Sequence, residues 1–263
     1  MFHFYRRSMA YRAYHHRVQR RRLIDYFLPL FLFIAFAVIV ILSLQLYRSI
    51  VTKHEPMDVF LFTPQGKSRI LPFGTYDWNV AYDNTRVLQG DEINALPGGR
   101  ASIRFFQKFW LRIDQNTTTV LQKVAPTKSL DSYEIQMKSG KAWYNTEAYT
   151  DIGAQLSILT TNLRITSTGG VFEVEDTSAD KGAEIVRTLK GTVHVAVLVS
   201  DGEKQREVES VDVAPGQEFS MDTVDYQAYQ KYQSPEVLEP IPDTFVSDEW
   251  YLWNSKLDNE LGI

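Results

Sequence analysis

From residue 78 onward the chain alternates apolar and polar positions in short runs. Arg100–Phe106, Phe109–Ile113, Thr117–Val124 and Tyr133–Lys138 carry the pattern. It continues through Ala142–Tyr144, Ile158–Ile165, Val171–Val174, Glu184–Leu189, Thr192–Val199 and Val208–Val213. Alternation over 4–8 residues is the period of half-buried strands. The joints are glycine-based: Pro97-Gly98-Gly99, Ser139-Gly140, Gly169-Gly170, Lys190-Gly191, Asp201-Gly202 and Pro215-Gly216. Asp201-Gly202 between valine-rich runs is the strongest hairpin signal of the set. About ten strands without an intervening long helix predict an all-β sandwich, barrel or short β-solenoid and exclude parallel βαβ units.

Two other patterns flank this region. Between Asp25 and Arg48 stand 22 residues without a charge. As a helix they would extend about 33 Å, enough for a hydrocarbon core of about 30 Å. Tyr26 and Tyr47 fall at the two ends, where amphipathic rings favour the headgroup level. The run is longer than a signal-peptide core and ends without a small-residue cleavage pattern, so 25–48 is predicted to be an uncleaved transmembrane anchor. At the other end, Trp250, Trp253, Leu257 and Leu261 recur as one apolar face of a helix, with Ser247 as the expected N-cap. That helix can pack back on the β-region as a lid or serve as a partner-contact helix.

The organisation expected is therefore a cytoplasmic basic tip at 1–24, the anchor at 25–48 and a stalk with an entry strand at 49–73. The β-domain follows at 74–221, then a proline-containing spacer at 222–246 and the helix at 247–262.

Charge sharpens the picture. Residues 1–24 hold Arg6, Arg7, Arg12, Arg17, Arg20, Arg21 and Arg22 and no acid, although the whole chain has a net charge of -4. Basic residues on one flank of a span place that flank in the cytoplasm. Arg17, Arg20, Arg21 and Arg22 are thus the orientation residues, and the acidic bulk is expected outside. Their place beside the bilayer favours lipid contact over nucleic acid as their partner. The chain has no cysteine, which removes disulfides, thiolate metal sites and a cysteine nucleophile.

Candidate chemistry is sparse. His194 is the one histidine of the β-region and alternates away from Val193, Val195 and Val197. A lone strand histidine does not meet the requirements of a general base. Asp176, Asp180 and Gly182 lack the third ligand and closing glutamate of a calcium loop. No phosphate-binding, nucleophile-elbow or zinc-protease pattern occurs. The expectation is a non-enzymatic protein without cofactor or metal.

Several motifs in order resemble the FecR domain. Leu88-Gln89-Gly90-Asp91-Glu92-Ile93 followed by Gly98–Phe105 is similar to its G-D-x-I element and first strand. Trp110–Ile113 with Thr119–Leu121, Ile135–Trp143, and Leu159–Ile165 with Gly170–Val174 resemble the segments that come next. Leu189–Val195 with Val213-Ala214-Pro215-Gly216-Gln217 resembles its ending, so that the likeness spans roughly 74–221. It implies an all-β, extracytoplasmic domain on one membrane helix, and a role in passing a receptor's state to a cytoplasmic sigma factor. Members also carry a longer cytoplasmic region and a further small periplasmic subdomain, where this chain has a short tip, a spacer and one helix. The expected function is therefore an anchored extracytoplasmic module that binds a protein or an envelope polymer. The alternative is a transmembrane regulator that contacts a cytoplasmic protein.

Overall fold

The computed structural model describes residues 29, 31, 33–44, 59–106, 109–125, 131–147, 154–180, 182–201 and 204–262. The chain divides into two compact units, Met1–Pro56 and Met57–Ile263. In the first, residues 33–44 are α-helical and their apolar side chains are mostly exposed. Among the described residues no helix is long and apolar enough to cross a membrane. All of 1–28 and both ends of the expected anchor at 25–48 lie outside the described residues.

The second unit is mostly strand. Its first half contains β1 (Val59–Gln65), β2 (Ser68–Leu71), β3 (Asn79–Val80), β4 (Thr85–Val87), β5 (Glu92–Ala95), β6 (Arg100–Phe105), β7 (Phe109–Ile113) and β8 (Thr118–Ala125). There follow β9 (Asp131–Asn145), β10 (Ala154–Leu159), β11 (Leu163–Asp176), β12 (Glu184–Asp201), β13 (Lys204–Val213), β14 (Gln217–Met221) and β15 (Leu238–Pro240). Helix α1 (Thr223–Gln230) separates β14 from β15, and α2 (Glu249–Leu261) follows. All the strands belong to one hydrogen-bonded network, and β1 and β2 belong to it as much as the region after residue 74. The stretch 222–246, expected as a spacer, holds α1 and β15. Asp222 starts α1 by accepting from the N–H groups of Val224 and Asp225 while Asp225 returns a bond to Asp222, a reciprocal cap.

Three strands, β9, β11 and β12, are longer than the alternation predicts. Tyr133–Lys138 and Ala142–Tyr144 fuse into β9, and Glu184–Leu189 and Thr192–Val199 fuse into β12. The run Ile158–Ile165, expected as one strand, is instead cut by a turn at 160–162. The glycines at Ser139-Gly140, Gly169-Gly170 and Lys190-Gly191 bend strands rather than end them. Gly170 (φ 137) and Gly191 (φ 76) face each other across β11 and β12 at a register shift. A Cβ on Gly170 would lie 2.2 Å from the Lys190 carbonyl oxygen, so that only glycine permits the approach. Such bends let each long strand exchange partners along its length. The first part of β9 pairs with β8 and β10, and its last part with β7 and β11. The β9–β10 pair is parallel, reached by the connection 146–153.

Strand alternation buries one large core, in which Leu61, Ile103, Phe105, Tyr133, Ile158, Ile165, Val195 and Phe219 are enclosed. Phe105 stacks on Phe109 at 4.0 Å, with Tyr133 edge-on to both. A separate small cluster, Trp143, Val171, Phe245 and Trp250, lies where the C-terminal segment covers the sheet.

Candidate functional site

The C-terminal segment covers an in-register row of side chains that crosses the sheet. Cross-strand neighbours run Ser102–Arg112–Trp143–Glu173–Arg187–Glu218, from β6 through β7, β9, β11 and β12 to β14. From Ser102 to Arg187 each stands between two buried strand neighbours that point to the other face, and Glu218 stands beside buried Phe219, which is why the row forms. Arg187 reaches both Glu173 (2.6 Å) and Glu175 (3.1 Å), and its Nε pairs with Glu218. The face of Phe245 lies 5.1 Å from the Arg187 guanidinium carbon.

Helix α2 lies over the other end of the row. Asp248 caps it by accepting from Trp250 N–H, while the expected cap Ser247 ends a preceding 3-10 turn. Its buried face is Trp250, Asn254 and Asp258. Trp253 and Leu257 are half-buried, and Leu261 is exposed. The four residues proposed for contact therefore do not share one free face. The reason is the charged surface below: Asp258 pairs with Arg112 at 2.6 Å and accepts from Trp143 Nε1 at 3.1 Å. Asn254 Oδ1 and carbonyl oxygen lie 3.4 Å from the same guanidinium nitrogen. Trp250 and Trp253 stack at 5.3 Å, and Arg100 lies within 5.5 Å of both rings and pairs with Asp114 and Glu249. Arg17, Arg20, Arg21 and Arg22 lie outside the described residues.

The electrostatics follow from burial. Burial lowers the pKa of Arg112, opposed by Asp258. Burial pushes Glu173 up to about 7, opposed by Lys141 and Arg187. Burial also works against the Arg187 charge, but Glu173 and Glu218 outweigh it and hold the guanidinium above its usual range. Arg112 Nη2, Glu173 Oε2 and Trp250 Nε1 are buried without a partner among the described residues. This layer is thus a polar seam with several unmet groups, a weaker adhesive than an apolar one.

A second feature is an open depression of about 290 Å³ lined by Thr161, Asn162, Glu184, Asp222 and Tyr226, among others. Burial raises Glu184 to about 7, and its carboxylate accepts from Thr160 and Asn162. Asp176, considered above as a cation ligand, accepts instead from Ser178 and Thr161. His194 is exposed and 2.8 Å from Asp212 across the β12–β13 pair, while Val193, Val195 and Val197 are buried as the alternation requires. Among the described residues, no three histidine, aspartate or glutamate side chains are grouped as a metal site.

Sequence reasoning missed the row altogether. Its signal was present as one arginine, tryptophan or glutamate set between apolar neighbours in FWLRI, KAWYN and VFEV, and beside one apolar neighbour in IVRTL and QEFSM. What it lacked was the register that aligns these strands.

No family model matches the chain, and no curated protein matches it. Among solved structures, it is similar to two crystal structures of a "putative anti-sigma factor" from Parabacteroides distasonis ATCC 8503, at 2.50 and 1.65 Å resolution. Both are 16% identical, with TM-scores of 0.40 and 0.39, over 51% of this chain. The match spans little more than half of those chains, 55% and 56%.

Proposed function

We propose that this chain is a single-pass membrane signalling regulator of the FecR kind. Its β-unit stands outside the cytoplasm, and its basic tip contacts a cytoplasmic protein. The observation that carries the reading is what the motif residues of the resemblance do in the fold. Gly90 takes φ 92 and lies against the Phe73 ring. Asp91 is buried and accepts from the N–H groups of both Phe73 and Leu88. Gly170 and Gly191 form the facing bend, and Gly216 takes φ 81 in the turn before β14. Each motif glycine named is in a backbone conformation that disfavours other residues, and the aspartate is the acceptor that closes a loop. Likeness at such positions supports a shared fold better than likeness of strand residues would. The seven arginines before an apolar run support the orientation.

A second reading is an anchored binding module for a protein or envelope polymer with no cytoplasmic role. Two measurements decide between them: transcription and membrane insertion after deletion of residues 2–20, and capture by a photoreactive residue at Tyr14. The regulator reading expects a cytoplasmic adduct and altered transcription with insertion intact. Intact insertion with unchanged transcription and no adduct replaces it with the second reading.

A further inference from the structure

The loop between β2 and β3 and the end of β4 expose three large apolar side chains. Phe73 is 78%, Tyr76 97% and Leu88 55% exposed. Scattered exposed apolar residues are ordinary. Phe73 and Leu88 are not scattered, because one carboxylate holds both. Asp91 Oδ1 accepts from Phe73 N–H at 2.9 Å and Oδ2 from Leu88 N–H at 2.8 Å. The Phe73 ring packs where a Cβ on Gly90 would stand, so the turn cannot shield it with a side chain of its own. Tyr76 belongs to the same loop, whose turn is closed by Thr75 N–H donating to the Pro72 carbonyl.

The pairing register says where this group lies. Val87, the residue before Leu88, pairs with Val59, the first residue of β1. The patch is therefore at the end of the β-unit where the chain arrives from the apolar run. Only ten residues, 49–58, separate that run's flanking Arg48 from Val59. Fully extended they reach at most about 33–36 Å, and as a flexible coil about 18 Å.

From this placement we propose that Phe73, Tyr76 and Leu88 rest in the headgroup layer of the bilayer. The inference rests on the reading of residues 25–48 as a membrane anchor. The occupant is argued from the short tether and the residue types. Tyrosine and phenylalanine beside a leucine suit an interface that is wet on one side and apolar on the other. A lipid surface also needs no complementary charge, and the loop supplies only Asp77 between Pro72 and Val80.

The absence of cysteine makes the test direct, since Tyr76→Cys introduces the sole thiol. The full chain carrying a nitroxide there is reconstituted into phosphatidylcholine–phosphatidylglycerol vesicles, and its collisions with oxygen and with a nickel chelate are compared. The control is Tyr82→Cys. Tyr82 is exposed in the turn before β4, beside Leu61–Thr63 and roughly 13 Å further along β1 from the tether by the strand rise. The expected result is a several-fold higher oxygen-to-nickel ratio at 76 than at 82, lost when Phe73→Asp and Leu88→Asp are added. An aqueous signal at 76 in protein that floats with the vesicles and resists alkaline wash overturns the inference and leaves the anchor standing. A label at 76 that is immobilised yet aqueous, with crosslinks between chains, also overturns it and makes the patch a contact between copies. Protein released by alkaline wash overturns the anchor and this inference together.

Discussion

Replacing Asp258 with alanine removes the group that holds α2 to the sheet. The carboxylate faces Arg112 at 2.6 Å and accepts from the Trp143 indole at 3.1 Å. Arg112 and Trp143 are each 1% exposed, so water cannot replace the lost partner while the helix stays docked. An uncompensated buried charge costs about 3–5 kcal/mol, and an orphaned indole N–H about 1–3 kcal/mol. The apolar contribution of docking is chiefly Trp250, roughly 2–3 kcal/mol for a large side chain. The penalty exceeds this contribution, so the helix should leave the sheet while the β-core, closed by other residues, stays folded. Hydrogen exchange is the assay: in Asp258→Ala, amides of 250–258 should exchange far faster, and those of β9 and β12 much as before. The double variant Arg112→Met, Asp258→Leu should recover most of the protection, because a matched apolar pair replaces a matched ionic one. Unchanged exchange in the single variant refutes the reasoning. Equal damage in both variants refutes the part assigned to the buried charge.

Two further outcomes follow from the sheet. Gly170→Ala forces a Cβ to within 2.2 Å of the Lys190 carbonyl oxygen at φ 137, and should destabilise the unit by on the order of 3 kcal/mol in chemical denaturation. Glu184, raised from 4.5 to about 7 in the fold, keeps its proton longer than it would in the unfolded chain. Its contribution is complete below about pH 4.5 and is lost as pH rises toward 7, by up to about 3 kcal/mol. Glu184→Gln should flatten that part of the stability-versus-pH curve, and an unchanged slope would assign it to other groups.

Much of the strand content was legible because alternation is a local signal. Phe109–Ile113 matches β7, and the hairpin signalled by Asp201-Gly202 joins β12 to β13, with Asp201 paired to Lys204 and so one position away from a turn centred on Asp201-Gly202. The glycines misled for a physical reason. A positive φ serves a turn and a mid-strand bend equally, and only the partner strand tells them apart. Gly170 and Gly191 bend because they face each other, a fact separated by about twenty positions in the chain.

By itself, the sequence determined the division into a basic end, an apolar run and a β-rich remainder, and which side of each strand is buried. Those properties depend on composition and on neighbours one or two positions away. Tertiary structure alone decided which outward positions align. It drew Arg112, Trp143, Glu173 and Arg187 into one row and turned Asn254 and Asp258 of α2 toward it, against the apolar stripe that periodicity favours. It also brought Phe73 and Leu88 to one carboxylate. Register, strand bending and charge pairing across long separations are non-local, and a pattern read along the chain has no access to them.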